Sequence, residues 1–263
     1  MPTANANGVQ LHYVEKGRGT PLVLLHGFPL SHRMWSAQID DLSRDARVIA
    51  PDFRGFGQSP DGGAFSIDDL ADDVAGLLKT IDAAPAVVAG LSMGGYVAMA
   101  VARRHPHVLK GLILVDTRAD ADGPMAREGR ARNIELVRSK GPSAIADGMI
   151  PKLLAPGADE SRPELAGSLR NMIEACPAIT IERALVALRD RPDSTSTLAA
   201  VKAPALVIVG DGDQITPPDL ARAMQATLPK GELAVIRGAG HMAPMEQPAQ
   251  VTRALRSFIK SLG

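Results

Sequence analysis

The sequence predicts an α/β protein: a mostly parallel sheet with helices on both faces, and a helical insertion set into it. Three observations carry that prediction. Short runs rich in Val, Leu and Ile alternate with stretches of helical period, as a parallel sheet with right-handed crossovers requires. The alternation breaks once, between Arg118 and Ala200, where helical periods succeed one another without a strand-like run. Third, the apolar run from Val87 climbs to Gly90-Leu91-Ser92-Met93-Gly94-Gly95 and passes at once into a helical pattern through Ala98, Met99, Val101 and Ala102.

In chain order, Val9 to Val14 alternates apolar and polar residues around Leu11 and Tyr13. Gly17-Arg18-Gly19 follows, so a short antiparallel edge hairpin closed by those glycines is expected. Pro21-Leu22-Val23-Leu24-Leu25 is apolar throughout and reads as a buried central strand, with His26-Gly27-Phe28-Pro29 at its end. A helix from near Met34-Trp35 to about Leu42 leads to a strand over Arg47 to Ala50. That strand runs out into the turn-rich Pro51-Asp52-Phe53-Arg54-Gly55-Phe56-Gly57-Gln58-Ser59.

Ser66-Ile67-Asp68-Asp69 supplies an N-cap and an acidic first turn for the next helix, and Leu70, Val74, Leu77, Leu78 and Ile81 form its apolar face. The strand leading to Ser92 and its helix, to about Arg104, come next. A strand from Lys110 to Val115 then ends at Asp116-Thr117.

Within 118–200, helical periods over Ile134 to Val137, Leu165 to Ile173 and Ile179 to Leu188 are punctuated by Pro142, Pro151, Pro156, Pro163, Pro177 and Pro192. One crossover rarely needs roughly 80 residues. This stretch therefore reads as a cap over the carboxyl edge of the sheet, where open α/β sheets hold their ligands. Residues 1–117 and 201–263 form the core on this reading, and 118–200 the cap. The alternation resumes with a strand over Ala205 to Val209, ending in Gly210-Asp211-Gly212-Asp213-Gln214-Ile215-Thr216-Pro217-Pro218. A helix over Asp219 to Leu228 follows, then a last strand from Glu232 to Ile236 that ends in Gly238-Ala239-Gly240-His241. A closing helix spans Pro248 to Leu262.

The bulk properties narrow the function. At 263 residues and 45% hydrophobic, the chain can bury a large core. Basic and acidic residues number 29 each, so there is no net field to attract nucleic acid or an anionic membrane, and a small-molecule partner is expected. A second copy of the chain, in a homodimer, is the other partner the sequence leaves open. The single Cys176 excludes an intrachain disulfide framework. Met1-Pro2-Thr3-Ala4-Asn5 lacks a basic patch followed by an apolar core, and no apolar run reaches the ~18 residues of a membrane span, so the expected location is cytoplasmic.

The chemistry centres on Ser92. A serine between glycines at a strand-to-helix apex fits a nucleophile elbow, in which a strained backbone lifts the hydroxyl clear of the sheet. A phosphate cradle at the helix N-terminus would call for the Lys of a P-loop or the third glycine of a dinucleotide fingerprint, and both are missing. A serine hydroxyl is a poor nucleophile at neutral pH, so it needs a base, and the base needs an orienting acid. Of the six histidines, His241 follows a late strand and sits beside glycines that let its loop fold back toward the serine. His26 precedes the glycine of a loop and suits a scaffolding hydrogen bond. His12 is placed on an edge strand, His32 in a loop near the pocket rim, and His105 and His107 at a helix end. Asp213, Asp211 and Asp116 all end strands in suitable places. Asp213 is the first choice for the acid and Asp116 the second, while Asp211 in Gly-Asp-Gly suits a bond to its own backbone. His105-Pro106-His107 lacks the further ligands of a zinc site, and no metal or organic cofactor is expected.

With His26-Gly27-Phe28-Pro29, Asp52 to Ser59, Gly90 to Gly95, Gly210 to Asp213 with Thr216-Pro217, and Gly240-His241, the chain resembles an α/β-hydrolase along nearly its whole length. The resemblance implies a mostly parallel eight-stranded sheet with a helical cap. It implies the acid at the fourth position of Gly-x-x-Asp, which is Asp213, and an oxyanion hole formed by the backbone N–H groups of Phe28 and Met93. The expected activity is hydrolysis of small carboxylic esters by Ser92, His241 and Asp213. Serine at position 92 argues against the dehalogenases and epoxide hydrolases, which carry aspartate there.

The stretches Gly90 to Gly95 and His26 to Trp35 are most similar to small bacterial carboxylesterases and 3-oxoadipate enol-lactonases. They also resemble cofactor-free perhydrolases and haloperoxidases. A noncatalytic ligand-binding member is the reading from a different class. Between Arg118 and Ala200 there is no Trp, Tyr or Phe, so the cap's pocket face is expected to be aliphatic. Phe28, Tyr96 and Met242 are candidates for the pocket wall, with Phe53 as a further ring and Met245 as a further methionine. Arg183 and Arg189 are candidates to meet a substrate carboxylate, or simply a solvated helix face.

Overall fold

The apolar runs assemble as their burial demands. The computed structural model describes residues 2–263. It pairs eight strands in the order β1-β2-β4-β3-β5-β6-β7-β8: β1 (Thr3–Ala6), β2 (Val9–Lys16), β3 (Pro21–Leu25), β4 (Arg47–Pro51), β5 (Ala86–Leu91), β6 (Leu109–Val115), β7 (Ala205–Gly210) and β8 (Gly231–Ile236). From β4 to β8 all neighbours are parallel, whereas β1 with β2 and β2 with β4 are antiparallel. Every residue of β5 and β7 is buried. Successive side chains point to opposite faces, so both faces of the sheet are covered.

The hairpin departs from the sequence reading. Its strands are β1 and β2, joined at Asn7-Gly8, where φ is +50° and +80°. An Asn-Gly pair with both residues left-handed fits a two-residue turn whose twist matches the strands. Gly17 and Gly19 lie instead in the connection from β2 to β3, which are not neighbours because β4 runs between them.

The helices before β6 are α1 (Ser36–Leu42), preceded by a 3-10 turn over His32–Trp35, α2 (Ile67–Thr80) and α3 (Met93–Arg104). At the start of α2 a capping box forms. Ser66 Oγ accepts from Asp69 N (3.2 Å), and the Asp69 carboxylate accepts from Ser66 N (2.7 Å).

Between β6 and β7 lie α4 (Pro124–Lys140), α5 (Pro142–Leu153), α6 (Ala158–Ser161), α7 (Pro163–Ala175), α8 (Ala178–Asp190) and α9 (Thr195–Ala200). Helix α4 packs on α8 and α5 on α7. Pro142 and Pro163 each open a helix, where the missing N–H costs nothing. Helix α5 shows no clear period in the sequence, because Gly148 and Pro151 interrupt its pattern. The chain ends with α10 (Pro218–Thr227), α11 (Ala243–Glu246) and α12 (Pro248–Ser261), and α12 packs on α1. Among the described residues no helix is long and apolar enough to cross a membrane.

Candidate active site

Ser92 stands between β5 and α3 with φ +52° and ψ −114°, a conformation rare for a residue with a side chain. Its N–H donates to Val115 O (3.0 Å), and Thr117 Oγ1 donates to Ser92 O (2.9 Å), so the ends of β5 and β6 hold the strained turn. The turn is possible because its neighbours lack Cβ atoms. A methyl on Gly90 would strike Gly94 O, one on Gly94 would strike Leu25 O, and one on Gly95 would come within 2.6 Å of Thr117.

His241 and Asp213 lie in the loops after β8 and β7. His241 Nδ1–H donates to Asp213 Oδ2 (2.9 Å), both side chains being buried. Three other donors reach that carboxylate: Thr216 Oγ1 to Oδ2 (2.6 Å), and Ile215 N (2.8 Å) and Thr216 N (3.0 Å) to Oδ1. Burial pushes the Asp213 pKa up, but the hydrogen bonds and charge of His241 and the Thr216 donors outweigh it and hold the group below the usual carboxylate range. Thr216, named in the sequence only as part of a motif, is thus a structural partner of Asp213.

Asp116, the second choice for the acid, has different work. It sits at φ +43° and accepts from Gly210 N (2.8 Å) and Ala243 N (3.3 Å), tying the end of β6 to the end of β7 and to the segment after His241. Burial and then the neighbouring Asp213 charge push its pKa well above the usual range. Asp211 does not bond its own backbone, as its Gly-Asp-Gly setting suggested. It accepts from Gly238 N (2.8 Å) across the loop that carries His241.

His26 scaffolds the loop after β3. Its Nδ1–H donates to Gly27 O (2.9 Å), and Nε2 accepts from Phe53 N (3.1 Å). An accepting Nε2 requires the neutral ring, and burial lowers the pKa to about 4. Phe53 packs on His26 with ring centroids 4.5 Å apart and does not line the cavity at Ser92.

Among the described residues, the Phe28 and Met93 N–H groups have no protein acceptor. That of Met93 lies in the first turn of α3, where no intrahelical partner exists.

A cavity of about 380 Å³ opens onto Ser92 and His241, and Phe28, Met93, Tyr96 and Met242 also line it. Helix α4 contributes Arg130, Asn133 and Leu136, and α5 contributes Ile145, Met149 and Lys152. The helical segment thus presents an aliphatic wall, as expected, but with polar groups that the sequence reading did not single out. Met245 packs on the core. Arg183 pairs with Asp61 and Arg189 with Asp190, away from the cavity.

His12, His32 and Asp52 form a buried group whose potential ligand atoms lie within 4.8 Å of one another. His12 is on β2 between two neighbours, and His32 is buried in the 3-10 turn. Asp52 Oδ1 accepts from His32 N (2.8 Å) and Nδ1 (2.9 Å), and Oδ2 accepts from His12 Nδ1 (3.0 Å) and Gln58 N (2.9 Å). Burial opposes its ionisation, but these donors and the nearby imidazoles hold it well below the usual range. With N–H donors on both oxygens, the cluster serves as a buried brace for the β4 loop. Cys176 is buried, which pushes its thiol up to about 12 and leaves it a poor nucleophile.

The fold and the elbow define a class, and comparison with known proteins places the chain in it. The model of the alpha/beta hydrolase fold family matches residues 20–248. The chain belongs to that family. It is 33% identical to the AB hydrolase superfamily protein YisY of Bacillus subtilis (strain 168), over 96% of this chain and 96% of that protein. Among solved structures, it is similar to a malate-bound thermophilic esterase from Thermogutta terrifontis, with 42% identity, a TM-score of 0.95, and coverage of 99% of this chain and 98% of that one. The enol-lactonase from Burkholderia xenovorans LB400 is 27% identical with a TM-score of 0.91, covering 98% of this chain and 100% of that one.

Proposed function

We propose that the protein is a serine hydrolase of small carboxylic esters, with Ser92 as nucleophile, His241 as general base and Asp213 as the acid that orients it. The observation that carries this reading is the buried His241–Asp213 hydrogen bond at 2.9 Å, on a cavity whose wall also includes the strained Ser92.

In the proposed reaction Ser92 Oγ attacks the ester carbonyl while His241 Nε2 takes its proton. The C–O bond to the alcohol breaks as His241 returns that proton to the leaving oxygen, giving an acyl-enzyme. Water, deprotonated by His241, then attacks the acyl carbon; the bond to Ser92 Oγ breaks as His241 returns the proton to that oxygen, which releases the acid and restores the serine. Through both steps Asp213 stabilises the imidazolium. The N–H groups of Phe28 and Met93 are assigned to the oxyanion, at about 3 kcal/mol for each donor where the charge develops.

Residues 118–200 act on this reading as a cap that supplies the far wall of the cavity and shields it from water. The esterase and enol-lactonase named above support ester or lactone substrates. A lactone is a cyclic ester and passes through the same steps, the released alcohol staying on the acyl chain.

The test is steady-state hydrolysis of p-nitrophenyl esters from acetate to decanoate. Ser92→Ala should retain the fold by circular dichroism and lose about four to six powers of ten in kcat. A fluorophosphonate probe should label the wild type and not the variant. Undiminished turnover by Ser92→Ala would remove the serine from the reaction.

A further inference from the structure

Resting on the serine-hydrolase reading, we propose that the cavity selects esters bearing a second, ionised carboxylate, such as half-esters of short dicarboxylic acids, and that Arg130 and Lys152 hold that carboxylate.

The charge of the cavity is one-sided. Among the described residues lining it, the side chains that carry a full charge at neutral pH are Arg130 and Lys152, and no Asp or Glu lines it. Asn133 lies three residues after Arg130 on α4, so both project from one helix face beside the cavity. Lys152 follows Ile145 and Met149 along the cavity side of α5. Arg130 is half-buried beside a wall of Leu, Ile and Met, where attraction for an anion is screened less than in open water, while Lys152 stands exposed at the rim.

Arg130 is preorganised. Its Nε–H donates to Asp122 Oδ2 (3.1 Å), and the other oxygen of this buried carboxylate takes Nη1–H of Arg191 (2.6 Å). One carboxylate thus serves two guanidinium groups. The Arg191 guanidinium carbon in turn lies 4.1 Å from the Tyr96 ring centroid, and Tyr96 is part of the cavity wall. Among the described residues the terminal nitrogens of Arg130 and the Lys152 ammonium have no hydrogen-bond or ion-pair partner. A guanidinium anchored through Nε offers its remaining N–H fork to a planar carboxylate.

The experiment compares monoethyl glutarate with ethyl hexanoate, an uncharged ester of similar length, by pH-stat. The measure is the acidic-to-neutral ratio of kcat/KM. Arg130→Met should lower that ratio about tenfold, and Lys152→Met about threefold, as suits a more exposed ion pair. Lys140→Met, at the far end of α4, should leave it unchanged, and salt should shrink the wild-type preference. Because Arg130 also holds Asp122, Lys152→Met serves as the variant with no protein partner to lose. In a second arm, calorimetry measures glutarate binding to the wild type, which Arg130→Met should weaken by a similar factor.

A neutral ester preferred equally by wild type and both variants, with no Arg130-dependent glutarate binding, overturns the carboxylate assignment and leaves the hydrolase reading standing. No turnover of either ester and no fluorophosphonate labelling, with glutarate still bound through Arg130, overturns the hydrolase reading and keeps the anion site.

Discussion

Asp213 and Asp116 are both buried carboxylates at strand ends, yet their partners give them opposite tasks. Asp213 receives the His241 N–H, whereas Asp116 receives two backbone N–H groups. Asp213→Asn should therefore cost about four powers of ten in kcat, because the amide imposes the wrong imidazole tautomer. Asp116→Asn should cost far less activity and show its effect in stability. Equal kinetic losses would void the distinction.

His26 makes a pH prediction. Its pKa falls from 6.5 to about 4 on burial, so between those values the unfolded chain takes up a proton that the native state refuses. The contribution of this group to stability is therefore full above about pH 6.5 and is lost as pH falls toward 4, by about 3 kcal/mol in all. NMR of ring-labelled histidine should show one neutral imidazole persisting to about pH 4. Protonation of every histidine near 6.5 would contradict it.

At the scale of elements, the β5–α3 turn tolerates no Cβ at its glycines. Gly94→Ala, facing Leu25 O, should give little soluble protein. Gly167 in α7 is the contrast. A methyl there meets nothing within 4 Å, so Gly167→Ala should raise stability by about 0.5–1 kcal/mol, measurable as a urea midpoint. The glycine-to-alanine substitution thus has opposite signs in two helical contexts, decided by what surrounds each position. A second constraint is the buried pair of Arg54 with Asp73 (2.5 Å), which fastens the loop after β4 to α2.

Across the whole molecule, Glu246 ties the loop that carries His241 to the helical segment. Its buried carboxylate accepts from Gly240 N (2.7 Å), Ala155 N (2.8 Å) and Arg162 Nη2 (3.0 Å). Gly240 lies directly before His241, and Ala155 and Arg162 flank α6, so one side chain joins parts of the chain far apart in sequence. The backbones meet too closely for a Cβ on Gly240, which would strike Ala155 N. Glu246→Gln, which keeps one acceptor, should lower kcat/KM and speed amide exchange at Gly240 and Ala155. Glu246→Ala should cost about 3 kcal/mol or more, since it strands several buried donors. Exchange unchanged at both amides would show that the tie is not needed.

The sequence by itself determined the alternation of strands and helices, the helical interruption, the N-cap at Ser66 and the glycine geometry around Ser92. Each of these is written in residues close together in the chain: an apolar run, a helical period, a cap three residues from its partner, a glycine where a turn leaves no room. Even there, alternation marks a strand without saying at which end it folds back, so the sequence points to Gly17 and Gly19 where the hairpin turns at Asn7-Gly8. Only the tertiary structure decided which strand-end aspartate meets His241, that Asp211 holds Gly238, that Arg183 and Arg189 face their own acids, and that Arg130, Asn133 and Lys152 line the cavity. Those outcomes depend on the approach of loops and helices from distant parts of the chain, where a single hydrogen bond of about 1 kcal/mol leaves no periodic trace in the sequence.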